Sequence, residues 1–179
     1  MPADAPAPLT TRPCVPEDAD FVFSLMERTS RDYVIATYGA WDPKWQRERF
    51  NQRFVPGNVR VLRLEGQDVG ILWVEEKDGT LFLGNLHILP ELQRRGLGTA
   101  AVRIFLADAN KRGLGATLQV LRVNPARRFY ERLGFRITGE TETHFQMRFS
   151  KDGTANQQFE DPESPEIDRS RQSGGKASV

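Results

Sequence analysis

The spacing of apolar residues predicts helices near the start of the chain. Residues 17–29 carry apolar side chains three and four positions apart, which is the spacing of one helical face. A second helix is predicted to begin at Asp42 and Pro43, since an acidic cap followed by proline is typical of a first helical turn. Before both helices, residues 9–12 are predicted to form a short strand.

The pattern then changes to the alternation that is typical of strands. Three such segments follow one another at residues 59–64, 69–74 and 81–89. Turn-forming residues separate them, with Glu-Gly-Gln-Asp at 65–68 and Lys-Asp-Gly at 77–79. Because short turns join neighbouring antiparallel strands, we expect three strands in a meander.

After Pro90 the helical spacing returns over residues 98–111 and stops at Gly113. A strand is predicted next, at 117–123. A strand, a helix and a further strand in this order form a right-handed crossover, which makes the two strands parallel. The remaining predicted elements are a short helix at 126–133 and two closing strands at 136–139 and 143–149. The pattern therefore predicts an α/β fold with a mixed sheet.

Composition indicates one domain between two polar ends. A chain of 179 residues suits a single domain. Large apolar side chains are almost absent from residues 151–179, so this segment cannot bury enough surface to offset the entropy of ordering, and we predict a disordered tail. Residues 1–8 are rich in proline and alanine and are predicted to be flexible. The functional domain is then residues 9–150.

Charge and cysteine content exclude several classes of function. The chain has 25 basic and 24 acidic residues, so no global field attracts nucleic acid or an anionic membrane. The single cysteine, Cys14, and the absence of a C-x-x-C spacing or a His-rich tract argue against disulfides and a metal site. The sequence shows neither a secretory signal nor a run of roughly 20 apolar residues. We expect a soluble cytoplasmic protein.

The most informative segment is Gln-Arg-Arg-Gly-Leu-Gly-Thr at residues 93–99, between a predicted strand and a predicted helix. Gly96 and Gly98 allow a tight turn and a close approach of the backbone to a ligand. Consecutive N–H groups and the positive end of the helix dipole then meet at one point, which suits a pyrophosphate. Arg94 and Arg95 add positive charge at the rim.

Three other interpretations of this segment remain. Gly96, Gly98 and Ala101 satisfy the dinucleotide-binding fingerprint, but six residues separate the strand from the first glycine and the acidic residue expected about 20 positions later is missing. A phosphate-binding P-loop requires a lysine after the last glycine, where Thr99 stands. The third interpretation is a glycine-rich helix start that binds no ligand.

Two motifs together resemble the GNAT N-acetyltransferases. The first is Gln93-x-x-Gly96-x-Gly98 after the Leu-His-Ile-Leu-Pro strand at 86–90, which is similar to the acetyl-CoA loop of that family. The second is the Asn-Pro-Ala…Tyr-Glu-Arg-Leu-Gly-Phe segment at 124–135. The resemblance implies a GNAT fold, a mixed six- to seven-stranded sheet flanked by about four helices. It also implies a V-shaped split between the central parallel strands.

The resemblance also implies a reaction, the transfer of an acetyl group from acetyl-CoA to a primary amine of a small molecule or a protein. The amine would attack directly in a ternary complex, without a metal. The alternative is a non-catalytic acyl-CoA-binding regulatory module of the same fold. The resemblance assigns pantetheine to Leu86, His87 and Ile88, the pyrophosphate to Arg94, Arg95, Gly96, Leu97, Gly98 and Thr99, the orientation of CoA or the amine to Asn124, and proton donation to the departing thiolate to Tyr130.

The sequence determines the general base and the pocket for the acceptor amine less well than the acetyl-CoA site. His87 is a candidate base because a neutral histidine accepts a proton at physiological pH, and the alternative is a histidine that only bonds to a neighbouring strand. The other candidates for this role are Glu75, Glu76, Glu142, His144 and a water relay. Tyr38 and Trp41, beside Asp42, are the candidate contacts for the acceptor. Similar proteins often form homodimers.

Overall fold

The structure of the protein is a computed structural model, and it describes residues 8–150. Almost all of the predicted flexible start, and the whole predicted tail at 151–179, lie outside the described residues. The domain boundary near residue 150 therefore stays a prediction. None of the helices in the described part of the chain combines the length and the apolar character that crossing a membrane requires.

The described residues form seven strands and four α-helices in α/β order. The elements are β1 Thr10–Pro13, α1 Ala19–Tyr38, α2 Pro43–Arg53, β2 Val59–Leu64, β3 Gln67–Lys77, β4 Thr80–Ile88, α3 Leu97–Lys111, β5 Gly115–Leu121, α4 Ala126–Arg132, β6 Phe135–Glu140 and β7 His144–Phe149. The strand order is β1-β2-β3-β4-β5-β7-β6, and only the β4–β5 pair is parallel. The predicted mixed sheet, its meander and its crossover are confirmed.

Both hairpin turns of the meander are two residues long. The predicted turn at 65–68 was too long, because Glu65 and Gly66 alone connect β2 to β3, with φ of 49° and 80°. Asp78 and Gly79 connect β3 to β4 in the same way, with φ of 49° and 70°. Two successive residues with positive φ match the right-handed twist of the paired strands. As a result β3 begins earlier and ends later than the alternation indicated.

The first helix is longer than the predicted 17–29. Polar residues after Thr29 do not end it, and Thr29 itself lies within the helix with its hydroxyl donating to the Leu25 carbonyl oxygen at 2.7 Å. The helix ends at Gly39, where φ is 88° and the N–H group bonds to the Ile35 carbonyl oxygen. Tyr38 is therefore the last residue of α1 and not part of a loop.

The sheet is covered on both faces, with one hydrophobic core on each side. On one face, α1 and α2 bury Val22, Leu25 and Phe50 against β2 and β3. On the other face, α3 buries Val102 and Phe105 against the central strands. The second core also contains Tyr130 of α4 and Phe135 of β6. Side chains that point to opposite sides of the central strands therefore enter different cores.

The two central strands separate halfway along their length. β4 and β5 pair only from Thr80 opposite Gly115 to Leu83 opposite Leu118. Where this pairing ends, the β3–β4 register shifts, since Trp73 faces Asn85 and Val74 faces Leu83, which leaves Gly84 as an extra residue. A bulge of this kind bends and twists its strand, so β4 diverges from β5. The predicted V-shaped split is confirmed.

Candidate active site

One wall of the split is the open edge of β4. The Leu89 N–H group bonds to the Val69 carbonyl oxygen on β3, and alternate residues of a strand direct their backbone groups to opposite sides. His87 therefore faces β3 with its backbone, whereas Leu86 and Ile88 face the split. The Gln93 side-chain amide donates a hydrogen bond to the Ile88 carbonyl oxygen at 3.0 Å. The backbone groups of Leu86 and the Ile88 N–H group are left for an extended ligand.

The other wall is the C-terminal end of β5. The Arg122 N–H group bonds to the Thr143 carbonyl oxygen near β7, so by the same alternation Gln119 and Leu121 direct their backbone groups into the split. The Leu121 carbonyl oxygen already accepts from the Asn124 N–H group at 2.9 Å. The pairing of Leu83 with Leu118 uses the Gln119 N–H group, so the Gln119 carbonyl oxygen and the Leu121 N–H group are left on this wall.

The Gly-rich loop lies beyond the open end of β4 and leads into α3. Arg94 and Gly96 have φ of 60° and 82°, and an added Cβ at Gly96 would meet no atom within 4 Å. No side chain caps the N-terminus of α3. The first N–H groups of a helix have no intrahelical acceptor, so they are available to an anion, and the binding of an anion there stays a prediction. Arg94 and Arg95 are exposed beside them.

Because Gly98 has no side chain, the Gly-rich loop lies close to Phe129 of α4. A Cβ at Gly98 would lie 3.4 Å from Cζ of Phe129, which is the short end of ordinary van der Waals contact. The φ of Gly98 is not in the left-handed region. Glycine therefore leaves space for the Phe129 ring here and is not needed for the backbone conformation.

Asn124 has a local structural role that the motif alone did not indicate. Its side-chain oxygen accepts the Ala126 N–H group at 2.9 Å, which fixes the start of α4 after β5. The amide N–H₂ group stays available to a ligand. It borders a cleft of about 250 Å³ lined by Arg122, Val123, Asn124, Pro125, Arg127 and Arg128.

Tyr130 packs on the α3 side of the sheet. Its ring centroid lies 5.1 Å from that of Phe129 and 5.7 Å from that of Phe135, and the residue is 9% exposed. Burial raises the pKa of its phenol to about 12, so the hydroxyl stays protonated at neutral pH. No hydrogen bond to this hydroxyl is formed within the described part of the chain.

His87 lies on the opposite face, under α1. Its Nδ1 is 2.7 Å from the Thr29 hydroxyl and its Nε2 is 3.2 Å from the Asn85 side-chain oxygen. Burial lowers the pKa of His87 to about 4, so the ring is neutral at physiological pH. The histidine thus bonds to α1 and to its own strand, and not to a neighbouring strand as the alternative interpretation supposed.

The Thr29 hydroxyl indicates which nitrogen of His87 carries the proton. A hydroxyl has one proton to donate, and its bond to the Leu25 carbonyl oxygen at 2.7 Å uses it. Nδ1–H of His87 is then the donor to Thr29, and Nε2 keeps its lone pair. Because an unprotonated Nε2 cannot bond to an amide oxygen, the contact of 3.2 Å with Asn85 is a hydrogen bond only with the Asn85 amide turned to donate its N–H. A substrate amine must displace this bond to reach Nε2.

Three of the other candidate bases, Glu75, Glu76 and His144, already have hydrogen-bond or ion-pair partners. Glu75 accepts from the Trp73 indole at 3.1 Å and pairs with Lys77 at 2.8 Å. Glu76 forms an ion pair with Arg112. His144 is 2.8 Å from the Thr143 hydroxyl through Nδ1, and burial lowers its pKa.

The predicted acceptor contacts lie at the junction of α1 and α2, on the His87 face of the sheet. Tyr38 ends α1, and Trp41 lies in the connection that follows. The Trp41 indole N–H is buried and has no hydrogen-bond partner in the described part of the chain. The Asp42 side chain accepts the Trp45 N–H group at 3.0 Å, so it caps α2, as its sequence position indicated.

The structure adds residues that sequence reasoning did not assign to the site. Thr29 and Asn85 hold His87, Gln93 ties the loop to β4, and Gln119 forms the second wall. Gln93 stood in the recognised motif and its role could have been inferred. Thr29 is 58 residues from His87, and no local pattern indicates such a pairing.

Comparison with known proteins identifies the architecture. Residues 56–137 match the family model of the acetyltransferase (GNAT) domain. None of the curated proteins matches the chain in sequence. Solved structures do match in fold, among them the PaiA N-acetyltransferase of Thermoplasma acidophilum in complex with coenzyme A. It is 16% identical, with a TM-score of 0.64 over 79% of this chain and 98% of that chain.

Two further structures have the same fold. The ribosomal-protein-S18-alanine N-acetyltransferase of Escherichia coli is 18% identical, with a TM-score of 0.61 over 83% of this chain and 99% of its own. An acetyltransferase from Thermus thermophilus is 23% identical, with a TM-score of 0.62 over 79% of this chain and 95% of its own. At such identities the likeness concerns the fold alone. The family model matches the segment that contains the split, the loop and the second motif, so the resemblance to the GNAT acetyltransferases is confirmed over residues 56–137.

Proposed function

We propose that the protein transfers the acetyl group of acetyl-CoA to a primary amine of a small molecule or a protein by direct attack in a ternary complex. The observation that carries this proposal is the continuity of the open β4 edge with the uncapped N-terminus of α3. An extended ligand with a pyrophosphate at one end fits such a site. The PaiA structure contains coenzyme A, which supports this choice of ligand.

The backbone of the split is suited to hold the ligand and to polarise it. The Leu86 groups and the Ile88 N–H group are fixed by the sheet on their other side. Donors held in place stabilise the negative charge that develops on a carbonyl oxygen under attack, at no cost of reorganisation. The first turn of α3, with Arg94 and Arg95, neutralises the phosphates. Acetyl-CoA supplies the activated acyl group.

Tyr130 is the proposed acid. It lies on the α3 face of the split, where its phenol remains protonated because burial raises its pKa to about 12. A protonated phenol donates a hydrogen bond or a proton to sulfur as the carbon–sulfur bond breaks. Within the described residues its hydroxyl makes no hydrogen bond that would have to break before it donates to sulfur.

His87 is the proposed base, acting through Nε2 on the opposite face. Positive charge develops on the amine nitrogen as the nitrogen attacks, which makes its proton far more acidic, so even a weakly basic imidazole can accept it. Thr29 orients the ring through Nδ1 at 2.7 Å. Acid and base are thus placed on different sides of the reacting thioester, and the two proton transfers do not compete.

The low pKa of His87 predicts a pH dependence of stability. The unfolded histidine has a pKa near 6.5 and the folded one near 4, so between these values the unfolded state binds more protons and acid favours unfolding. We expect the Tm of the wild type to fall between pH 6.5 and pH 4 more steeply than that of His87→Asn. Calorimetry at a series of pH values measures both curves.

The second histidine provides the control for this experiment. The chain contains only His87 and His144, and burial also lowers the pKa of His144. His144→Asn should reduce the fall of the Tm with decreasing pH by less than His87→Asn does. Parallel Tm curves for the wild type and His87→Asn would show that His87 is not held neutral by the fold.

A panel of primary amines tests the proposed reaction. Purified protein should release free CoA thiol from acetyl-CoA only when a suitable amine is present, and mass spectrometry should find that amine heavier by one acetyl group. Acetyl-CoA should also raise the Tm, since a ligand selective for the folded state stabilises it. A raised Tm without acetylation of any amine would favour the non-catalytic acyl-CoA-binding module.

A further inference from the structure

One basic side chain of α2, the helix that follows the predicted acceptor contacts, has no acidic partner among the described residues. Arg49 of α2 is half-buried, and its guanidinium stacks on the Trp45 ring, with 5.2 Å from Cζ to the ring centroid. It forms no ion pair with a carboxylate in residues 8–150. Even partial burial of a charge without an opposite charge carries a desolvation cost, so this arginine requires an explanation.

The electrostatic surroundings of Arg49 are positive. Burial lowers the pKa of its guanidinium and the charge of Arg53 lowers it further, whereas Tyr38 raises it. Trp45, Arg49 and Arg53 recur every four residues and so share one face of α2. Glu75 is a carboxylate whose pKa responds to Arg53, but it is already held by Lys77 and Trp73.

The unpaired polar groups of this region are hydrogen-bond donors. The guanidinium of Arg49 presents only donors, and the Trp41 indole N–H is buried without an acceptor in the described residues. The Tyr38 phenol can also donate. By contrast, Asp42 is exposed and caps α2. A cationic group would be repelled here, whereas an anionic group would satisfy these donors.

We propose that Arg49, assisted by Trp41 and Tyr38, binds the carboxylate of the acceptor, and that the acceptor is a small carboxylate-bearing amine such as an amino acid. This rests on the proposed acetyltransferase function. The planar guanidinium matches the two oxygens of a carboxylate. Two carboxylate oxygens accept about four hydrogen bonds, which the three side chains can provide. The amine of the same molecule then extends toward the split from the α1 and α2 face.

Matched pairs of acceptors test the proposal. Each amino acid is assayed beside its own carboxamide, which has the same side chain and amine but no negative charge. The amine of a carboxamide is less basic and more of it is free at neutral pH, so intrinsic reactivity favours the carboxamide. We nevertheless expect the wild-type KM for the preferred amino acid to be at least about 10-fold lower than that for its carboxamide, because hydrogen bonds to a charged group are the stronger ones.

Variants of α2 assign this preference to one side chain. Arg49→Gln should raise the KM for the amino acid by about 10- to 100-fold and leave the KM values for the carboxamide and acetyl-CoA unchanged. Arg49→Lys should recover only part of the loss, since lysine is a point charge. Arg47→Gln is the control, because Arg47 lies on another side of the helix and pairs with Asp20 at 2.6 Å. It should retain the wild-type preference.

A binding measurement separates this proposal from the proposed reaction. If no amine is acetylated but the amino acid raises the Tm of the wild type and not that of Arg49→Gln, the carboxylate site stands and the reaction fails. Equal KM values and equal Tm shifts for acid and carboxamide would overturn the carboxylate site. An equal loss of preference in Arg47→Gln would also overturn it. So would a roughly 10-fold preference for O-phosphoethanolamine over β-alanine, since the site would then be one for phosphate.

Discussion

Replacing Tyr130 with phenylalanine should lower kcat about 10²-fold, the lower end of what a positioned acid supplies. The Tm and the affinity for acetyl-CoA should stay close to wild type. The substitution removes only the hydroxyl, which makes no hydrogen bond within the described residues, and the ring keeps its contacts with Phe129 and Phe135. Steady-state kinetics and a thermal shift with acetyl-CoA measure the two effects separately.

The other tyrosines make a matched control possible. The chain has three, Tyr33, Tyr38 and Tyr130, and Tyr33→Phe removes the same atom from the middle of α1. It should leave kcat unchanged. If kcat of Tyr130→Phe stays within about twofold of wild type, Tyr130 is a core aromatic and not the acid. A joint loss of acetyl-CoA affinity and turnover would instead make it a binding residue.

Replacing Gly98 with aspartate should abolish the Tm increase that acetyl-CoA produces, with a loss of affinity of at least about 10²-fold, a like-charge penalty of several kcal/mol. The new Cβ meets the Phe129 ring at 3.4 Å, and the carboxylate stands where the phosphates must bind. The apo protein should not lose stability through the helix, since an acidic residue in a first turn interacts favourably with the helix dipole. A folded variant that fails to bind is therefore the expected result.

Gly98→Ala separates space from charge. Its φ lies outside the left-handed region, so alanine is not strained by the backbone, and its methyl group meets only a ring edge that can shift slightly. We expect a loss of affinity well below that of Gly98→Asp. Binding of acetyl-CoA to Gly98→Asp at wild-type affinity would mean that the loop is not the cofactor site.

Much of the fold was predictable from the sequence because its signals are local. The meander from β2 to β4 follows from strand alternation interrupted by Glu-Gly and Asp-Gly, which adopt positive φ. The cap of α2 is contained in Asp42 and Pro43. Less predictable were the ends of the elements, such as the extension of α1 to Tyr38, since the stop signal at Gly39 lies ten residues beyond the end of the predicted helix at Thr29.

The candidate site was predicted in part. The loop at 93–99 is one continuous segment, so its tight turn and the uncapped start of α3 follow from its own glycines and the helix after them. His87 was identified as a candidate, but Thr29 and Asn85, which hold its ring, were not. Asn124 was assigned to the ligand, whereas its side-chain oxygen also fixes the start of α4. The sequence did not assign Arg49 to the site, because a basic residue on a helix is usually solvated.

The sequence by itself determined the order of the elements, the crossover between β4 and β5 and the position of the Gly-rich loop, since periodicity and turn residues act over a few positions. Only the tertiary structure decided that β7 lies between β5 and β6, that β4 bulges at Gly84 and leaves β5 after Leu83, and that Arg49 has no acidic partner in the described residues. These features depend on contacts between residues far apart in sequence. Such contacts are decided when the helices and strands pack, and no local propensity encodes them.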